Sequence, residues 1–199
     1  MDQPDGEGAQ HYALCRLEAD LPPALVYHSA WHTREDVVPA TLRLAEAEGI
    51  AGANLLLLRV AAHYHDIGFV LQRDGHELAG IRIATEVLPS FGFGPAQIGS
   101  IVSIIMATKL PQSPRDHLGK ILADADLDVL GRADFMARNA QLRVELAAFD
   151  EAVTDARWYT GQLGFLRAHT YFTASARAAR CEGKARNAQA LERLLESAR

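Results

Sequence analysis

Residues 63–68 read His-Tyr-His-Asp-Ile-Gly and follow an apolar stretch. His65 and Asp66 place an imidazole nitrogen beside a carboxylate oxygen. That is half of a mixed nitrogen–oxygen site for a divalent cation. A helix end suits the pair, because the turning backbone lets consecutive side chains face one point. The plain alternative is a helix C-terminus at which His65 favours the negative end of the dipole. Two other clusters add weight to the metal reading. Upstream, His28 and His32 are four apart and would share a face of a helix. Downstream, Asp124, Asp126 and Asp128 lie among Ile121, Leu122, Leu127, Val129 and Leu130. Three carboxylates at that density repel one another unless they are solvated or hold a cation. In so apolar a segment not all of them can be solvated, although Asp126 and Asp128 on a wet face remains the plain alternative.

The elements that must position these groups read as helices. Apolar residues recur at three and four, as in Ile98, Ile101, Val102, Ile105 and Met106, and strand-like alternation is scarce. The pattern predicts helices over about 55–66, 76–88, 95–108 and 117–130, with two or three more from 134 to 199. Thr33 with Asp36 resembles a capping box, and Pro39 should kink that helix or delay its start. Gly68 is expected as a left-handed cap, and Gly161 and Gly164 as a break. The expectation is one all-α domain of seven to nine helices over residues 11–199, after a flexible stretch at 1–10.

Composition narrows the function. The 199 residues carry a net charge of −5, a poor match to a nucleic-acid polymer. No apolar run approaches the roughly 18 residues of a membrane span. The polar, acidic start does not read as a secretory signal, and Cys15 and Cys181 form no framework, so a cytoplasmic location is expected. No phosphate-binding loop of the G-x-x-x-x-G-K-S/T type and no G-x-S-x-G element is present.

His32, then His65-Asp66, then an aspartate in Ala123-Asp124-Ala125-Asp126, in that order on a helical chain, resembles the HD-domain superfamily of metal-dependent phosphohydrolases. The resemblance covers about residues 25–135, with the helices of 136–199 packed on that core. It implies a single helical HD domain and one divalent ion (Mn, Fe, Co, Ni or Mg) on His32, His65, Asp66 and a fourth aspartate. Asp124 is the choice for the fourth ligand and Asp126 the alternative. His76, in Gly75-His76-Glu77, resembles the histidine that joins a second ion in two-metal members. Those members carry further histidines where this chain has Ala107-Thr108-Lys109, so the second ion stays open.

The reaction implied is hydrolysis of a small phosphate ester, a nucleotide or cyclic nucleotide, through a metal-activated water. Asp66 would take the water's proton, and Lys109 and Arg73 are cations that could meet a phosphate. His28, His63 and Asp128 are candidates for supporting contacts. His169, Arg177, Arg180 and Lys184 could form a basic rim, and the segment from Phe165 to Thr173 resembles one that recurs in the family. Two other classes are a di-iron oxygenase and a non-catalytic module that binds a nucleotide or a partner. No oligomeric state is implied.

Overall fold

The helical periodicity is realised as nine α-helices and no strand among the described residues, 3–198, of the computed structural model. They are α1 (Gly6–Asp20), α2 (Val38–Ala47), α3 (Gly52–Tyr64), α4 (His76–Val87), α5 (Pro95–Met106), α6 (His117–Asp126), α7 (Phe135–Ala147), α8 (Asp155–Ala168) and α9 (Ala174–Ser197). Short 3₁₀ turns follow α3, α4 and α6. No helix among the described residues is long and apolar enough to cross a membrane.

Helix α3 sits at the centre. Leu58, Val60, Ala61 and Ala62 are fully buried, and α1, α2, α5 and α6 pack around it. Small alanines on that helix let its neighbours approach, while each buried Leu or Val supplies roughly 1.5–3 kcal/mol. A second apolar cluster joins Val129, Leu130 and Phe135 to Leu163, Leu166 and Leu191 of the C-terminal helices. Tyr171 and Ala176 tie the start of α9 back into the first cluster.

Several local expectations are corrected. Residues 6–10 are helical: they are the first turns of α1, capped by Asp5 Oδ1, which accepts from Gly8 N at 2.8 Å. Residues 1 and 2 lie outside the described residues. Helix α8 runs through Gly161 and Gly164 without a break. The 117–130 helix stops at Asp126, and residues 128–131 tighten into a 3₁₀ turn. Thr33 and Asp36 form no capping box. Residues 32–37 make a widened, π-helical turn in which Val38 N donates to Thr33 O. Pro39, with no N–H and a ring that crowds the carbonyl four residues back, follows it directly.

Gly68 is no left-handed cap either, since it is absent from the positive-φ residues. It is required by a close approach: a Cβ there would lie 1.8 Å from His76 O and 2.5 Å from Gly80 N. Backbone against backbone cannot yield as a side chain can. Gly131 and Gly183 meet in the same way, a Cβ on Gly183 falling 2.0 Å from Gly131 O. This contact seats α9 on the 128–131 turn, where Arg180 reaches Asp128 and Asn187 Nδ2 donates to Leu130 O and Arg132 O.

Gly68→Ala is expected to cost about 2–3 kcal/mol or more by overpacking. Urea unfolding of the variant checks this. A loss below about 1 kcal/mol would show that α4 slides freely over the end of α3.

Candidate metal centre

The chain end of α3 builds one side of the site. His65 Nδ1 donates to Ala62 O at 2.8 Å, back into its own helix, which leaves the Nε2 lone pair facing inward. Asp66 follows, at the turn into residues 67–70. The widened turn before α2 supplies His32, whose Nδ1 faces Asp36 Oδ2 at 3.3 Å. Ligand atoms of His32, His65 and Asp66 all lie within 4.8 Å of one another, and all three residues are buried. His65 Nε2 is 3.1 Å from Asp66 Oδ2, and His32 Nε2 is 3.8 Å from it.

The fourth group is Asp126, the last residue of α6. Its Oδ1 lies 3.5 Å from Nε2 of both His32 and His65. Asp124, the choice made from sequence, is elsewhere. It is fully buried and accepts from Phe172 N (2.8 Å), Thr173 N (2.8 Å) and Thr173 Oγ1 (2.7 Å). Burial pushes its carboxyl up even though these three bonds favour the charged form. Asp124 thus anchors the start of α9 and has no free oxygen for the cluster. The two aspartates are two residues apart on a helix, so they face nearly opposite ways.

Other expected site residues also separate. His76 is at the site, with Nε2 3.5 Å from Asp66 Oδ1 and its ring stacked on Phe69. His28 stacks on Phe69 too and pairs through Nδ1 with Glu145 Oε1 at 2.5 Å. Lys109 is exposed and lines a different cavity with Met106 and Arg115. Arg73 pairs with Glu151 at 2.6 Å and lies over Phe149. Asp128 is taken by Arg43 and by both arms of Arg180. His63 donates to Arg59 O within α3. The expected basic rim is absorbed by the fold, with Arg177 on Tyr171 O and Phe172 O and Lys184 on His169 O.

Three residues escaped the sequence reading. Asp36, assigned only to a capping box, holds His32 and is itself held by Arg132 Nη1 at 2.5 Å and Arg138 Nη2 at 2.8 Å. Arg138 is buried over the rings of Tyr27 and Trp31. Glu145 fixes the backbone N–H groups of Tyr27 and His28 as well as the His28 ring. Only the spacing of His32 and Asp36 on one helical turn gave a signal. Arg138 and Glu145 are about 100 residues away in sequence from what they hold.

The cluster demands positive charge. Burial disfavours the His32 imidazolium, yet Asp126, Asp36 and Asp66 overcome it and push the ring up to about 9. His65 is also raised, burial again opposing and Asp66 prevailing. Asp66 is held well below the usual carboxylate range, the imidazoles outweighing its burial. His65 Nε2 and Asp66 Oδ2 are buried and make no hydrogen bond. Unpaired buried atoms of this kind are costly, and a cation between them would satisfy both. Two imidazoles and two carboxylates suit an open, octahedral site rather than a closed tetrahedral one.

The cluster opens on a cavity of about 280 Å³. Asp66, Asp126, His28, His76 and Arg138 make its polar end, and Leu127, Val129, Leu130 and Phe135 are among its apolar walls.

Residues 36–128 match the HD domain family. The match begins at Asp36 and spans His65, Asp66 and Asp126. The fold is similar to that of the crystal structure of a predicted HD superfamily hydrolase from an uncultured Thermotogales bacterium. The TM-score is 0.64 with 21% identity, over 98% of this chain and 93% of that one. At that identity the likeness is one of fold. No curated protein matches the chain.

Three outcomes follow. Asp124→Ala should lose about 2–4 kcal/mol, because three buried donors lose their acceptor, while the folded fraction still takes up metal. Asp126→Ala should keep its stability and lose metal, both read by thermal unfolding beside metal analysis. Asp36→Ala should weaken metal binding roughly 10–100-fold in a calorimetric titration, since His32 loses its orienting partner.

Proposed function

We propose that the protein is a metal-dependent phosphohydrolase acting on a small phosphate monoester. The observation that carries this is the pair of unpartnered, buried donors, His65 Nε2 and Asp66 Oδ2, set beside His32 and Asp126 at the end of a cavity. His32, His65, Asp66 and Asp126 would hold one divalent ion. Such an ion lowers the pKa of a coordinated water toward about 7 and polarises a phosphoryl oxygen.

The chain supplies the rest. Asp66 turns Oδ2 to the cluster and Oδ1 to His76, so it would take the attacking water's proton and share it with His76. Arg138, not Lys109, is the cation in the cavity wall; its charge is already shared with Asp36, so it would balance only part of the charge on the phosphoryl oxygens. The apolar walls exclude bulk water, which strengthens both interactions. Water oxygen joins phosphorus, the ester P–O bond breaks, and the leaving alcohol carries a proton away. One buried arginine suits a monoester better than a triphosphate.

His76 across Asp66 favours a second reading, a two-iron oxygenase, against which Thr108 stands where a further histidine would help. Metal analysis of untagged protein separates them. About one Mn, Fe, Co or Ni per chain, lost in Asp66→Ala, together with phosphate release from a panel of monoesters and cyclic nucleotides, is the expected result. Asp66→Ala should lose more activity than the roughly 10–100-fold expected for a supporting contact. Two irons per chain with oxygen uptake would replace the hydrolase. No metal after reloading, and no phosphate released, would leave a binding module.

A further inference from the structure

Beside the cavity at the metal site lies a second one of about 360 Å³. Leu110, Leu127 and Phe165 line both, so the two adjoin along these three side chains. The far walls come from Gln112 after α5 and from Ala168, His169 and Thr170 at the end of α8. From this shared wall and the uncharged lining beyond it we infer that the substrate's leaving group is uncharged, largely apolar and long enough to reach past Phe165 into the second cavity. The inference rests on the hydrolase reading and extends it to the class of alcohol released.

Charge and polarity argue for this occupant. The second cavity has no ionised side chain in its lining. Burial and the nearby Lys184 push His169 down to about 4, so its ring is neutral. Lys184 itself is spent on His169 O at 2.5 Å. A further phosphate placed there would find no cation and would lose its hydration. Apolar surface loses nothing by entering, and cavities of this size bury most of a drug-sized ligand. Behind this lining two polar atoms are buried without a partner. His169 Nδ1 faces the Lys184 ammonium at 3.4 Å and so accepts, which leaves an Nε2–H without a partner. Gln112 Oε1 is also unpartnered.

The test uses the full, metal-loaded chain and three probes: methyl, phenyl and 4-biphenylyl phosphate. Wild type should show kcat/KM for the biphenylyl ester at least about 10-fold above that for the phenyl ester. Ala168→Trp, which fills the second cavity, should bring that ratio close to one. Thr170→Trp is the second filling variant, and circular dichroism shows which of them folds. No preference in wild type, or an equal fall in both rates that leaves the ratio intact, would overturn the inference. If none of the esters is hydrolysed, the hydrolase reading fails separately. The cavity is then judged by calorimetry with 4-phenylphenol: binding weakened in the filled variants supports it, and absent or unchanged binding overturns it.

Discussion

Asp36 is a buried carboxylate on which three groups converge: the imidazole of His32 and the guanidinium groups of Arg132 and Arg138. A lone carboxylate in that place would cost several kcal/mol, and either arginine alone would leave part of it unsatisfied. With both, its charge is held well below the usual carboxylate range, burial notwithstanding. That fixed negative charge orients His32, and His32 faces the rest of the cluster. The widened turn at 32–37 is the backbone's part in this arrangement, because it brings residues 32 and 36 into register before α2 begins.

Around that contact the molecule is organised as two apolar clusters with a cavity between them. The first, centred on α3, delivers His65 and Asp66 from a helix end. The second, built by the 128–131 turn and the C-terminal helices, delivers the apolar walls and Arg138. Close glycine contacts, at Gly68 against α4 and at Gly131 against α9, set the spacing on each side. The polar groups therefore sit where two well-packed bodies meet, which is where a ligand can be enclosed without opening either core.

Much of this was legible in the chain. Helical spacing gave the fold class, and adjacency made His65-Asp66 visible, because two ligand types side by side need no tertiary information. His32 was placed by its order ahead of that pair. The aspartate cluster was ambiguous for a physical reason: Asp124 is buried and Asp126 half-buried on one helix, and only the packing partner distinguishes an anchor from a ligand. Asp124 proved to hold α9, a contact 48 residues distant. Gly68 was misread because a glycine required by a neighbouring backbone looks the same in sequence as one required by its own φ. Lys109 and Arg73 were charged and nearby in sequence, yet both point to other surfaces.

The reach of Arg138 and Glu145 has a consequence for what counts as a unit. Both lie on α7, outside the stretch that matches the HD domain; Glu145 braces His28 ahead of that stretch, and Arg138 braces Asp36, its first residue, which in turn faces His32. The recognisable segment therefore carries His65, Asp66 and Asp126 but neither His32 nor the α7 side chains that brace the site. Grafted onto a different C-terminal third, the same histidines and aspartates would sit in a different field and grip a cation with different strength. Modularity here ends at the motif's outline, and the tuning of its chemistry is inherited with the helices that follow it.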